Sequence, residues 1–244
     1  MRRWRWAGAA VWLLCAGCTL SREGKLSSGE PTLFTGSLQE IAPHHPGDRF
    51  LYRITGAGEH DGVYVEQLSA TSETNEIIAT LSLAQDGPPV VITRLRNSGK
   101  AIAIVSEELS ALQDVGFAYA QPIPYLEVPL RTGVRKATSP ATMWRLSDGR
   151  GLADGQVVQT MSASRPTGDA TSGDLEVRRE RDLNFPGMAI YERETAWFRP
   201  GVGEVRSETS TNGGPPVYQE LICARIDGKQ IGDCGSFKEE DAGD

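Results

Sequence analysis

The sequence predicts an all-β protein: one large curved antiparallel sheet wound as a meander, a half-barrel or open barrel, with at most one or two short helices. Three observations predict it. About eleven or twelve short segments alternate apolar and polar residues with period two, the mark of half-buried strands. The 27 glycines and 14 prolines are spread along the chain rather than clustered, as turns between short strands require. Hairpin signals recur at Asn97-Ser98-Gly99, Asp148-Gly149, Asp154-Gly155 and Asp227-Gly228, where glycine accepts the positive φ of a tight turn. Sequential hairpins favour a meander, and a sheet of so many strands curls or closes. No repeat of fixed period is present, which argues against a propeller.

The elements follow in order. Arg2, Arg3 and Arg5 form a positive start, and Ala7 to Gly17 carry no charge. That apolar run is far short of the roughly 20 residues that span a bilayer, so residues 1–17 read as an export signal. Leu13-Leu14-Cys15-Ala16-Gly17-Cys18 ends it as a lipoprotein signal does, with Cys18 as the lipid-carrying residue. Cys15 stands where leucine is usual. Thr19, rather than aspartate, follows the cysteine, which favours the outer membrane in enteric-type sorting. The expected location is the cell envelope, lipid-anchored at the outer membrane and facing the periplasm or the cell surface. Residues 18–46 are rich in Ser, Gly, Glu and Pro and read as a flexible tether, with Leu33, Phe34 and Leu38 docking locally. His44-His45, between Pro43 and Pro46, reads as solvated linker rather than as the start of a metal site.

A single β domain is expected over residues 47–237. Phe50, Tyr52 and Ile54 alternate with Arg49, Leu51 and Arg53 in its first strand. Gly62 to Thr71 is a second, and Ile77, Ala79, Leu81 and Leu83 share one face of a third. Val90 to Arg96 and Ala101 to Val105 pair around Asn97-Ser98-Gly99. Glu107 to Asp114 fits two helical turns with Ser106 as N-cap. Pro122, Pro124 and Pro129 predict an extended connection or an edge strand, because proline cannot donate to a ladder. Thr142 to Ser147, Gly155 to Ser164, Gly173 to Arg181, Met188 to Phe198, Val202 to Thr209 and Tyr218 to Ile226 complete the strands. Residues 238–244 form an acidic tail.

Charge excludes some functions. Taking Arg2, Arg3 and Arg5 from the 25 basic residues leaves 22 against 32 acidic ones, a formal charge of −10. That argues against nucleic acid and against adhesion to anionic lipid. With Cys18 carrying lipid, Cys223 and Cys234 remain, and an even pair in an oxidising compartment forms a disulfide. The Asp227-Gly228 hairpin brings the two together. No histidine lies near them in sequence, so no metal site is expected.

One motif stands out: Trp197-Phe198-Arg199-Pro200-Gly201-Val202-Gly203-Glu204-Val205-Arg206. Pro200 presets φ for the second position of a turn and Gly201 supplies the positive φ of a type II third position. The segment resembles the W-F-x-P-G-V-G corner of exported bacterial lipoproteins of unknown function, TapB-like. Pro46-Gly47-Asp48-Arg49-Phe50-Leu51-Tyr52 resembles their opening strand, and Pro129-Leu130-Arg131-Thr132-Gly133 a stretch midway. The resemblance spans about residues 46–226. It implies a β domain related to the half-barrels of periplasmic lipoprotein carriers, and no activity. Arg199 stands where that family usually has alanine.

No catalytic constellation is evident. Gly232-Asp233-Cys234-Gly235 resembles a protease nucleophile only superficially, since Cys223 is a simpler partner. Glu192 and Glu194, and likewise Glu176, Arg178 and Glu180, share strand faces that read as the wet side of a sheet. The expectation is a membrane-anchored, non-catalytic binding or structural module without cofactor or metal. An apolar ligand or an envelope protein would sit in the concave face, lined by Phe50, Tyr52, Ile54, Leu81, Leu83 and Trp197. The alternative is an envelope hydrolase with an unrecognised active site.

Overall fold

The computed structural model describes residues 30–83, 87–110, 114–166 and 173–235. Residues 1–17, Cys18 and residues 238–244 lie outside the described residues. The strands are β1 (Thr32–Phe34), β2 (Arg49–Thr55), β3 (Gly62–Ala70), β4 (Glu76–Leu83), β5 (Pro89–Asn97), β6 (Ala101–Leu109), β7 (Val115–Glu127) and β8 (Leu130–Arg131). They continue as β9 (Val134–Arg145), β10 (Gly151–Ser164), β11 (Leu175–Phe185), β12 (Met188–Arg199), β13 (Gly203–Thr211), β14 (Val217–Ile226) and β15 (Lys229–Gly232). One α-helix, α1 (Leu38–Ile41), lies between β1 and β2.

The sheet runs β13-β12-β11-β10-β9-β7-β6-β5-β4-β3-β2-β14, and β13 pairs with β14 to close it. The meander therefore goes one step beyond an open half-barrel. Closure needs only the first part of β14, whose Val217–Glu220 face Arg206–Thr209 of β13. The rest of that edge, Cys223–Ile226, pairs with β15. Asp227 and Gly228 both take positive φ, 50° and 73°, as a two-residue type I′ hairpin requires. Cys223 and Cys234 are disulfide-bonded beside this hairpin, with Cα atoms 5.3 Å apart. Both sulfurs lie outside the barrel wall, buried with Leu51 and Val65.

The strands run alternately between two ends. At one end, the floor, the N-terminal segment folds across the barrel. Ser37 caps α1 in a capping box: the Glu40 N–H donates to Ser37 Oγ at 3.3 Å and the Ser37 N–H to Glu40 Oε2 at 3.1 Å. This helix is too short to persist alone. It holds because Leu38, Ile41 and Ala42 are buried in the main core, each large side chain contributing about 1.5–3 kcal/mol at most. β1 pairs with β8 at the same end. The tether expected over residues 18–46 thus stops short. From Thr32 onward the segment belongs to the fold, because the barrel floor offers it an apolar surface.

One further expectation is corrected and another narrowed. The helix expected over Glu107 to Asp114 is strand as far as Leu109, since Glu107 pairs with Thr93 on one side and Phe117 on the other. Ladder partners on both edges outweigh local propensity. The Pro-rich middle is not an edge along its whole length, since β7 lies between β6 and β9, but its Pro-bearing half pairs with β6 alone and is locally an edge. β7 pairs with β9 only over Val115–Tyr119. Pro122 and Pro124 fall in the half that has left this ladder, where a missing N–H costs nothing.

Candidate functional site

The inner faces of β11 and β12 carry one pattern in matching register. Along β11 it reads Val177, Arg179, Arg181, Leu183; opposite on β12 it reads Ala196, Glu194, Glu192, Ile190. Apolar pairs bracket two opposite-charge pairs, and all of these face the lumen. The wet-face reading is therefore wrong for Glu192 and Glu194. It holds for Arg178 and Glu180, which are exposed on the outer face of β11. Glu176 lies on that face too but is buried, accepting hydrogen bonds from Ser164 and Arg178. The signal was present in the sequence: Glu192 and Glu194 share parity with Ile190, Ala196 and Phe198, a core face.

Arg179 braces the interior. It is 3% exposed. Its Nε and Nη2 donate to both oxygens of Glu194 at 2.8 and 2.7 Å, and its Nη1 to the Tyr125 carbonyl at 2.8 Å. Its guanidinium lies 4.1 Å from the Tyr125 ring centroid. Gln159 donates likewise to the Pro124 carbonyl. The inward side chains of β10 and β11 thus satisfy the carbonyls of β7 where it has left β9, as buried backbone polar groups require. The Tyr125 hydroxyl donates across the lumen to Glu204 of β13.

Arg181 makes a second knot. Its Nη1 donates to Glu107 at 2.6 Å and its Nη2 to Glu192 at 2.9 Å, and the Tyr119 hydroxyl donates to the same Glu107 oxygen. Burial pushes the carboxyl of Glu192 up. Burial would do the same to Glu194, but the Arg179 fork outweighs it and holds that carboxyl low. Two carboxylates have no such fork. Burial, with the nearby Glu204, pushes Glu66 up to about 7. Burial, with the nearby Glu194, pushes Glu204 up to about 7. Arg179 Nη2 comes no closer to Glu204 than 3.8 Å.

These groups surround a cavity of about 440 Å³ inside the barrel. Side chains can fill an eight-stranded barrel, whereas wider ones enclose space. Toward the end opposite the floor the wall turns apolar, with Val91, Leu109, Phe117, Leu183 and Ile190. The exposed Thr211 also lines the cavity, so it reaches solvent at this end, the mouth. At the floor His44 closes it. The His44 ring lies 3.0 Å from the Ala42 carbonyl through Nδ1, and burial pushes its pKa down, so it adds no positive charge. It is part of the site and not solvated linker. Among the described residues no group of His, Cys, Asp and Glu is placed to hold a metal ion.

The expected lining is partly right. Phe50 and Tyr52 line the cavity, and Leu81 packs against the core. Leu83 is 47% exposed, and Trp197 stacks with Arg206 on the face opposite the inward Phe198. The corner after Phe198 is a type II turn, with Gly201 at φ 83° and the Val202 N–H donating to the Arg199 carbonyl at 3.0 Å. Its work lies at the floor: the Gly201 N–H donates to the Glu40 carbonyl and Gly203 lies against Pro43. Arg199 forks onto Asp174 at 2.9 and 3.0 Å.

No family model matches the chain, and no curated protein matches it. Two solved structures are similar to it. One, from Bacteroides fragilis, is described as an exported protein with YmcC-like fold; it is 14% identical, with a TM-score of 0.45, over 78% of this chain and 98% of its own. The other, from Parabacteroides distasonis, is described as a lipoprotein; it is 12% identical, with a TM-score of 0.39, over 82% of this chain and 98% of its own. At such scores neither likeness bears on ligand, partner or location, and the resemblance of the corner to the TapB-like lipoproteins stands on its motif alone.

Proposed function

We propose that this protein is an envelope lipoprotein, anchored through Cys18, whose barrel binds a small ligand in its lumen without catalysing a reaction. The observation that carries the reading is the cavity of about 440 Å³, walled on one side by apolar residues and on the other by fixed buried charges. Such a mixture of apolar wall and few convergent polar groups is what small-molecule sites have. The leader and Cys18 support the anchor on sequence grounds. The outer wall supports it by charge: Arg53, Arg94, Lys136, Arg178, Glu180 and Arg193 are exposed along the strands. A barrel that crosses a membrane carries an outward apolar band there instead. The outer membrane is the expected site, from Thr19.

An uncharged environment-sensitive dye, N-phenyl-1-naphthylamine, tests the reading. The dye should brighten with the native protein, and Ile190→Trp, at a half-buried position of the apolar wall, should abolish most of that uptake while keeping a cooperative thermal melt. Uptake unaffected by the variant would place the dye elsewhere and overturn the reading. Glu66 and Glu204, carboxyls held near neutrality, are what the hydrolase alternative would draw on.

A further inference from the structure

The lumen has more negative than positive groups. Five carboxylates line it, Glu66, Glu107, Glu192, Glu194 and Glu204, against the two guanidinium groups of Arg179 and Arg181. Both cations are already taken. Arg179 is forked onto Glu194 and bound to a backbone carbonyl, and Arg181 is held between Glu107 and Glu192. An anionic ligand would have to break these pairs before meeting a guanidinium. Glu204 receives the Tyr125 and Ser207 hydroxyls but no guanidinium fork, and no donor among the described residues reaches Glu66. In a low-dielectric lumen an unpaired carboxylate is costly, and a cation facing it removes that cost.

From this geometry we infer that the ligand is an organic amine on an apolar body, its ammonium facing Glu66 and Glu204 and its body against Leu183, Ile190 and Phe117 toward the mouth. The inference rests on the lumen being a ligand site, as proposed above. A bare metal ion suits the place less well, since no cluster of three ligating side chains is formed among the described residues. The apolar wall at the mouth would also find no partner in an ion. The groups that face the two carboxylates are Glu194, Arg179, Tyr52, Tyr125 and Ser207, so a bound ammonium leaves the two arginine pairs intact. At mildly acidic pH the Glu66 and Glu204 pair would release about one proton as a single ammonium binds, since one positive charge offsets one carboxylate.

The test is calorimetric titration of the mature chain with n-hexylamine, 1-hexanol and hexanoate, three probes of one apolar body. The amine should bind at least about tenfold more tightly than the other two at pH 7.5. At pH 6 its measured enthalpy should change with the ionisation enthalpy of the buffer, reporting proton release. The Glu66→Gln/Glu204→Gln variant should lose about tenfold or more in amine affinity while its hexanol affinity stays within about twofold. Tighter binding of hexanoate, or equal binding of all three, overturns the amine and leaves the lumen as a ligand site. Binding of none of the three overturns both.

Discussion

Two residues in the lumen show how burial decides chemistry. Arg179 is almost wholly buried, yet it is satisfied on every side: Glu194 takes its fork, Tyr125 gives it a carbonyl and a ring. Removing one partner of such a group leaves the others uncompensated. Arg179→Met should therefore cost about 3–5 kcal/mol in chemical denaturation, and Arg179→Met/Glu194→Leu should recover part of it. Glu204 is the opposite case, a carboxyl that keeps its proton up to about 7. Between pH 4.5 and 7 the native protein holds protons on Glu66 and Glu204 that the unfolded chain releases. Stability should accordingly be full below about pH 4.5, from these two groups, and fall as pH rises to 7. Two groups held low act the other way: Glu194 only below pH 4.5, and His44, kept neutral by burial, up to about pH 6.5, where one such group offsets part of the effect of two carboxyls. Melting temperatures measured from pH 5 to 8 should decline in the wild type and decline less in Glu204→Gln; a parallel decline in both would refute this account of Glu204.

At the scale of elements, the N-terminal segment and the C-terminal hairpin each complete the barrel. The corner after β12 holds α1 through the Gly201 N–H, and α1 closes the floor. β15 covers the part of β14 that β13 leaves free, and the Cys223–Cys234 bond spans 11 residues there. Replacing both cysteines by serine should cost about 2–3 kcal/mol. In the exported protein neither thiol should react with a maleimide until reductant is added; labelling of both beforehand would remove the disulfide from the account. Most elements were legible because their alternation is local: Phe50-Leu51-Tyr52 and Asp227-Gly228 carry their own signal. Asp154-Gly155 reads as a turn but lies inside β10, paired with Thr142 and Ala141 of β9. Three further features were not legible. α1 owes its order to the floor it covers, which lies far away in sequence. Glu107 reads as helix until its partner Arg181, 74 residues on, is brought beside it. Glu192 and Glu194 read as a wet face until Arg179 and Arg181 stand opposite in register. The lumen was legible as a possibility, but its charge emerges only when the ring closes.

The whole molecule has a direction. Glu30 packs at Gly133, at the floor end, and the cavity reaches solvent at the other. Twelve residue steps separate Cys18 from Glu30, a reach of about 40 Å at full extension. With Cys18 in a membrane, the floor is held near the surface and the mouth is the end free to meet a ligand. The central claim is that this lumen is occupied in the envelope. Native mass spectrometry of the mature protein, purified from its own envelope, tests it most directly. The account predicts one additional noncovalent mass that vanishes under denaturing conditions, leaving the lipidated polypeptide. The lipidated polypeptide alone under both conditions would contradict it.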